Sequence, residues 1–84
     1  MTQDDTLVFV QALFAKLFDL SPELVVPDAL LYEDLDLDSI DAVDLAASLQ
    51  KSFDTKLEEG DFRGLKSVSD LMALIHRLQA NSSS

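Results

Sequence analysis

Three stretches of this chain repeat their apolar residues at the spacing of an α-helix, and that period limits the fold more than any other feature. Val10, Leu13, Phe14 and Leu17 form one set. Ala42, Leu45, Ala46, Leu49 and Phe53 form the second, and Val68, Leu71, Met72, Ile75 and Leu78 the third. Residues three and four apart share a helix face, so each set is a stripe that must be buried against another. The spacing predicts helices over Asp4–Phe18, over Ser39–Phe53 and from Ser67 onward. Start signals agree. Thr2 with Asp5, or Asp4 or Asp5 alone, caps the first; Asp38 or Ser39 caps the second; Ser67 and Asp70 have capping-box spacing at the third. Ser21-Pro22-Glu23 reads as a cap, an N1 proline and an acidic first-turn residue, enough for one short helical turn. Residues 58–64 read as a loop with at most one short turn of helix. The alternation in Asp34-Leu35-Asp36-Leu37-Asp38 has a strand's period but is short and poor in β-formers. The fold class that follows is all-α: a four-helix bundle of three longer helices and a short one, with a long loop between the first and second helices.

At 84 residues with two Gly, two Pro and no Cys, such a bundle has no disulfide staple and must be held by apolar packing. The 48% hydrophobic content suffices for one core. Leu24, Val26, Leu30, Leu31 and Leu35 are too apolar for a free linker, so the loop over 19–38 is expected to be pinned across the bundle by them. Residues 81–84 are expected to form a disordered tail. The absence of Cys also removes any thiol nucleophile or thiolate metal site.

The charge narrows the partners. A formal net charge of −10, from 16 acidic and 6 basic residues, argues against nucleic acid and against an anionic membrane surface. Proteins with basic patches are the natural partners. The N-terminus is acidic where a signal peptide is basic, and no apolar run reaches membrane-spanning length, so a cytoplasmic location is expected.

The densest charge lies in Glu33-Asp34-Leu35-Asp36-Leu37-Asp38-Ser39-Ile40-Asp41-Ala42-Val43-Asp44-Leu45, with six acidic residues among thirteen and one hydroxyl at the centre. Three readings of Ser39 compete: part of a calcium loop, a helix cap, or an attachment point. Asp34, Asp36 and Asp38 fit the first, third and fifth places of a calcium loop. The sixth place needs Gly and holds Ser39, and the twelfth needs a bidentate Glu and holds Leu45. A dedicated metal site is therefore not expected. The capping reading explains Asp38 and Ser39, with Asp41 and Asp44 complementing the helix dipole. It does not explain Ile40, Val43 and Ala47. These form a second apolar set beside Ser39, interleaved with acid, and a helix in so small a bundle does not bury two faces. An exposed apolar patch with a charged rim suits transient protein docking. The alternative is that the loop folds over that face.

Leu37-Asp38-Ser39-Ile40 resembles the Asp-Ser-Leu/Ile attachment motif of acyl carrier proteins. The resemblance covers most of the chain: Glu33-Asp34-Leu35 before the motif, then Asp41, Val43, Asp44 and Leu45, then Leu49, Phe53-Asp54 and Ser67-Val68-Ser69-Asp70-Leu71. It implies a free-standing carrier domain over residues 1–80 and no enzymatic activity of its own. Ser39, with Asp38 beside it, would carry 4′-phosphopantetheine through a phosphodiester, attached from coenzyme A by a phosphopantetheinyl transferase. The thiol of that arm would hold acyl groups as thioesters. Asp38, Asp41 and Asp44 would be electrostatic contacts, and Ile40, Val43 and Ala47 shallow apolar ones, for ketosynthase, acyltransferase, ketoreductase or dehydratase enzymes with basic docking patches. One departure is visible. Many housekeeping fatty-acid carriers have Gly two positions before the motif's Asp, where this chain has Asp36, a residue that tolerates unusual backbone angles better than most. The departure favours a specialised fatty-acid, polyketide or polyene pathway over general fatty-acid synthesis.

Other readings are weighed against this one. A peptidyl or aminoacyl carrier keeps the arm and changes the cargo; an acidic helical adaptor leaves Ser39 unmodified. Serine hydrolysis would need a base beside Ser39, and the single His76 is expected at the far end of the bundle. Phe9, Phe14, Phe18, Phe53 and Phe62 beside Ala42, Ala46 and Ala47 are read as large-into-small packing, with an expandable acyl slot as the alternative. Lys51, Lys56, Arg63 and Lys66 are read as a solvated face. A monomer is expected from the mutual repulsion of acidic faces.

Overall fold

The computed structural model describes residues 2–57 and 59–82. Their helices are α1 (Gln3–Phe18), α2 (Ser39–Phe53), the short α3 (Glu59–Arg63) and α4 (Val68–Ser82), with a 3₁₀ turn at Pro22–Leu24. Residues 83 and 84 of the expected tail lie outside the described residues, while Asn81 and Ser82 belong to α4.

Each long helix starts at a reciprocal cap that the sequence spells out. At α1 the Asp5 N–H donates to Thr2 Oγ1 at 3.1 Å, and the Thr2 N–H donates to the Asp5 carboxylate at 3.3 Å. At α2 the pair is Asp38 and Asp41, at 3.0 and 3.2 Å. Asp38 rather than Ser39 is thus the cap. At α4, Asp70 N–H donates to Ser67 Oγ at 3.3 Å, and the Ser67 N–H returns a bond to the Asp70 carboxylate at 3.2 Å. Helices α1 and α2 both end on a left-handed aspartate, Asp19 with φ 57° and Asp54 with φ 47°.

Val10 and Phe14 of α1, Leu45 and Leu49 of α2, and Val68, Leu71, Ile75 and Leu78 of α4 meet in the core, none more than 3% exposed. Helix α4 is the most enclosed, because Met72 and Leu74 are buried as well. Phe62 anchors the short α3 in the same core. The aromatics largely pair with one another: Phe9 meets Phe53 edge-on at 5.6 Å and Phe14 meets Phe18 at 5.4 Å between ring centroids.

The loop between α1 and α2 is pinned, though by a different set of residues than its composition suggests. Leu31 and Leu35 are buried as expected, and Leu30 is half-buried. Leu24 and Val26 are exposed instead, and Val25, Ala29 and Leu37 take inward places. The 3₁₀ turn ends at Val25, and its geometry sends Leu24 outward and Val25 in. Backbone pairing completes the attachment. The Val68 and Ser69 N–H groups at the start of α4 donate to Ala29 and Pro27 carbonyls at 2.9 Å, and Leu31 N–H donates to Lys66 carbonyl at 2.8 Å. The loop thus satisfies helix-end donors that have no partner within α4. Gln11 holds the earlier part of the loop, donating to the Val25 carbonyl at 3.0 Å.

Candidate functional site

The pinned loop delivers the chain to the start of α2 through one tight turn. Leu30 N–H donates to the Asp34 carboxylate at 2.8 Å, and Asp34 and Leu35 N–H return to the Leu30 carbonyl at 2.9 and 3.1 Å. Asp36 follows in the left-handed region at φ 57°, an angle that Gly adopts freely and Asp better than most other residues. Leu35 and Leu37 on either side point into the core. This inward anchoring fixes the direction in which α2 leaves the turn.

Ser39 is the first residue of α2, and its side chain is exposed and makes no hydrogen bond among the described residues. The capping box engages the N–H groups of Asp38 and Asp41. The Ser39 and Ile40 N–H groups have no protein partner among the described residues. Two donors at the positive end of the helix dipole therefore accompany the free hydroxyl.

The helix is two-faced, as its sequence predicts. Leu45 and Leu49 are buried, with Ala42, Ala46 and Phe53 half-buried beside them. On the other side Ile40 is 72% and Val43 67% exposed, and Asp44 and Ala47 are exposed too. The loop does not fold over this face. Ser39, Ile40, Val43, Asp44 and Ala47 share it at offsets of 0, 1, 4, 5 and 8, with Asp38 at its head. Asp41 stands apart: it lies two residues, or roughly 200°, around the helix from Ser39, and it is half-buried and committed to the cap.

Two other readings of the acidic stretch can be placed. The carboxylates of Asp34 and Asp38 face backbone N–H groups, and no group of three or more His, Cys, Asp or Glu side chains among the described residues is arranged to hold a metal ion. His76 approaches Thr6 instead, with Nε2 at 3.0 Å from the buried Thr6 hydroxyl. That hydroxyl donates to the Thr2 carbonyl at 2.9 Å and so accepts from the imidazole. Thr6 lies in the first turns of α1. The far end of α1 meets the start of α2, because Leu17 and Phe18 border one cleft with Leu37 and Asp41. Thr6 and Phe18 are about 18 Å apart along α1 at 1.5 Å per residue. His76 and Ser39 therefore occupy opposite ends of the bundle, and the imidazole does not reach the Ser39 hydroxyl.

Of the basic residues read as a solvated face, Lys51, Lys56 and Lys66 are exposed, and the Arg63 side chain lies outside the described ones. The chief structural contributor that the sequence reading passed over is Thr6, whose polarity inside an apolar stripe was the available signal.

Known proteins resemble this chain over most of its length. A family model described as "Phosphopantetheine attachment site" matches residues 8–75. The chain is 38% identical over 80 residues to acyl carrier protein 2 of Ralstonia nicotianae, covering 95% of this chain and 99% of that protein. It is 36% identical over 76 residues to an acyl carrier protein of Thermosynechococcus vestitus, covering 90% and 94%. A meromycolate extension acyl carrier protein of Mycobacterium tuberculosis is 25% identical over 79 residues, covering 94% of this chain and 69% of the relative.

Proposed function

The chain belongs to the acyl carrier protein family, and on that premise we propose that Ser39 is the residue that carries its 4′-phosphopantetheine. Membership of that family makes the chain a carrier and not an enzyme, with a covalent prosthetic group and with a phosphopantetheinyl transferase and biosynthetic enzymes as partners.

One observation carries the assignment to Ser39: among the described residues, an exposed, unbonded hydroxyl heads a helix whose first two N–H groups have no protein partner. A phosphodiester on that oxygen fits there, since its negative charge would meet two donors and the positive end of the dipole. In the modification the Ser39 oxygen forms a bond to the β-phosphorus of coenzyme A, and the phosphoanhydride bond breaks. Adenosine 3′,5′-bisphosphate leaves, and the hydroxyl proton passes to a base of the transferase. When bound, the group supplies a terminal thiol that holds an acyl cargo as a thioester. The chain's own residues present that cargo. Asp38 and Asp44 on the Ser39 face attract basic patches, with Asp41 adding to their field from beyond that face, and Ile40, Val43 and Ala47 offer the shallow apolar contact that lets a partner settle and leave.

The pathway is inferred to be a specialised one, in fatty-acid, polyketide or polyene synthesis. Asp36 at the left-handed turn supports this, as does similarity to a carrier named for meromycolate extension. The cytoplasm, where coenzyme A is available, is the compartment this reading implies.

Intact mass before and after incubation with coenzyme A and a broad-specificity phosphopantetheinyl transferase tests the assignment. The parent gains one phosphopantetheine and Ser39→Ala gains none. Addition to both chains would move the attachment site elsewhere. No addition to a folded parent would leave Ser39 as an ordinary first-turn residue of an acidic adaptor.

A further inference from the structure

We propose that Asp34 is a positioning residue for the modification of Ser39: its carboxylate closes the turn that fixes where the Ser39 hydroxyl stands when the transferase brings coenzyme A to it. The inference rests on the reading of Ser39 as the attachment residue.

The turn is closed reciprocally. Leu30 N–H donates to the Asp34 carboxylate at 2.8 Å, and the Leu30 carbonyl accepts the Asp34 and Leu35 N–H groups at 2.9 and 3.1 Å. Asp34 thus does for one isolated turn what a cap does for a full helix, satisfying an N–H that the backbone leaves over. Among the described residues, no other side chain bonds to the backbone of this turn.

Both ends of the turn are tied to elements that matter. Behind it, Leu31 N–H donates to the Lys66 carbonyl at 2.8 Å, and the Lys66 and Ser67 N–H groups are held by Asp70 at the head of α4. Ahead of it, Leu37 N–H donates to the Leu31 carbonyl at 3.1 Å, and the next residue, Asp38, caps α2. Leu35 and Leu37 are buried, so a turn that opens would shift two core side chains and the head of α2 with them. Hydrogen bonds and chain therefore run without a break from α4 through Asp34 to Ser39.

This role differs from attraction of a basic partner. A carboxylate that steers acts through its charge, whereas one that closes a turn acts through an acceptor held in one place. Place matters to the transfer, because the Ser39 oxygen must approach phosphorus in line with the leaving group. A shift of about 1 Å in a reacting atom costs up to roughly a hundredfold.

Substitution separates the two roles. Asp34→Asn keeps an acceptor oxygen and drops the charge. Asp34→Glu keeps the charge and carries the oxygens one bond further out, and Asp34→Ala removes both. The control is Asp5→Ala, which deletes a carboxylate with the same reciprocal bonding from the α1 cap, at the end of the bundle away from Ser39. Steady-state kinetics of the broad-specificity transferase would be measured on each chain at a temperature where circular dichroism shows it folded. Amide hydrogen exchange at Leu30, Leu35 and Leu37 is read alongside. Asp34→Ala should lose roughly tenfold in kcat with KM within about twofold, and should exchange faster at those three amides. Asp34→Glu should change in the same direction. Asp34→Asn should stay within about threefold of the parent, since Asn caps nearly as well as Asp, and Asp5→Ala should match the parent. A loss in Asp34→Asn as large as in Asp34→Ala, or a loss carried by KM, would assign the effect to charge and overturn the inference. Asp34→Ala modified at the parental rate would overturn it as well, as would equal losses in Asp34→Ala and Asp5→Ala. Should Asp34→Ala not fold, Asp34→Glu decides: a kcat equal to or above that of Asp34→Asn overturns the inference. A parent that takes up no phosphopantetheine would instead sink the Ser39 reading and the inference with it.

Discussion

Aspartate occupies every left-handed position among the described residues, at Asp19, Asp36 and Asp54. These angles favour glycine, and Asp is among the few other residues that adopt them at modest cost. The same short carboxylate serves in the caps, and there its ionised form matters. Asp70 is the clearest case. Its carboxyl is held below the ordinary value near 3.8, first by the Lys66 N–H and then by the Ser67 N–H, at 3.0 and 3.2 Å. A depressed native value means that the unfolded chain takes up the proton first as pH falls. The contribution of Asp70 is therefore complete above roughly pH 4 and is lost as the pH drops through the native value. Urea unfolding of the parent and Asp70→Asn across pH 3 to 7 checks this. Their difference should be constant at neutral pH and shrink on acidification, because the other carboxylates titrate alike in both chains. Parallel curves down to pH 3 would mean that the ionised carboxylate is not what holds the cap.

At the scale of elements, the sequence is most informative where spacing and capping agree. Helix α2 runs over Ser39–Phe53 as its period and acidic cap predict, and α1 starts one residue earlier than expected. The exposed Ile40, Val43 and Ala47 were legible for a physical reason: a helix in a small bundle has too few neighbours to bury two stripes. The loop was less legible. Which of Leu24, Val25 and Val26 turns inward depends on the 3₁₀ turn and on pairing with the start of α4, and neither has a periodic signature. The cleft likewise depends on how the end of α1 meets the turn at Asp36, a tertiary fact. The division of labour within α2 can be measured. Leu49→Ala should destabilise the bundle by about 3 kcal/mol, as loss of a fully buried leucine does. Val43→Ala should change stability by less than about 0.5 kcal/mol, as expected for an exposed site, yet slow transfer to or from a cognate biosynthetic enzyme. Thermal unfolding beside a carrier-dependent activity assay separates the two. A large stability loss in Val43→Ala would mean that the outer stripe is part of the core.

At the scale of the whole molecule, charge divides unevenly along the chain. Residues 1–45 contain eleven acidic residues and Lys16 alone, while residues 46–84 contain five acidic and five basic residues. The entire net charge of −10 thus belongs to α1, the loop and the first turns of α2, and the remainder is neutral. A surface charge of this size attracts a basic partner from a distance, raising the rate of encounter more than the final affinity. Asp41→Asn/Asp44→Asn is the informative variant, because asparagine at 41 can still accept the Asp38 N–H and keep the cap. Stopped-flow association with a basic-surfaced partner enzyme should slow by roughly three- to tenfold at 20 mM salt, and the gap should close toward 500 mM as screening shortens the field. Asp54→Asn, which takes charge from the neutral half, should leave the rate unchanged. Rates that are indifferent to salt, or that respond equally to Asp54→Asn, would mean that charge on α2 does not steer. The acid there would then serve the caps alone, and recognition would fall to Ile40, Val43 and Ala47.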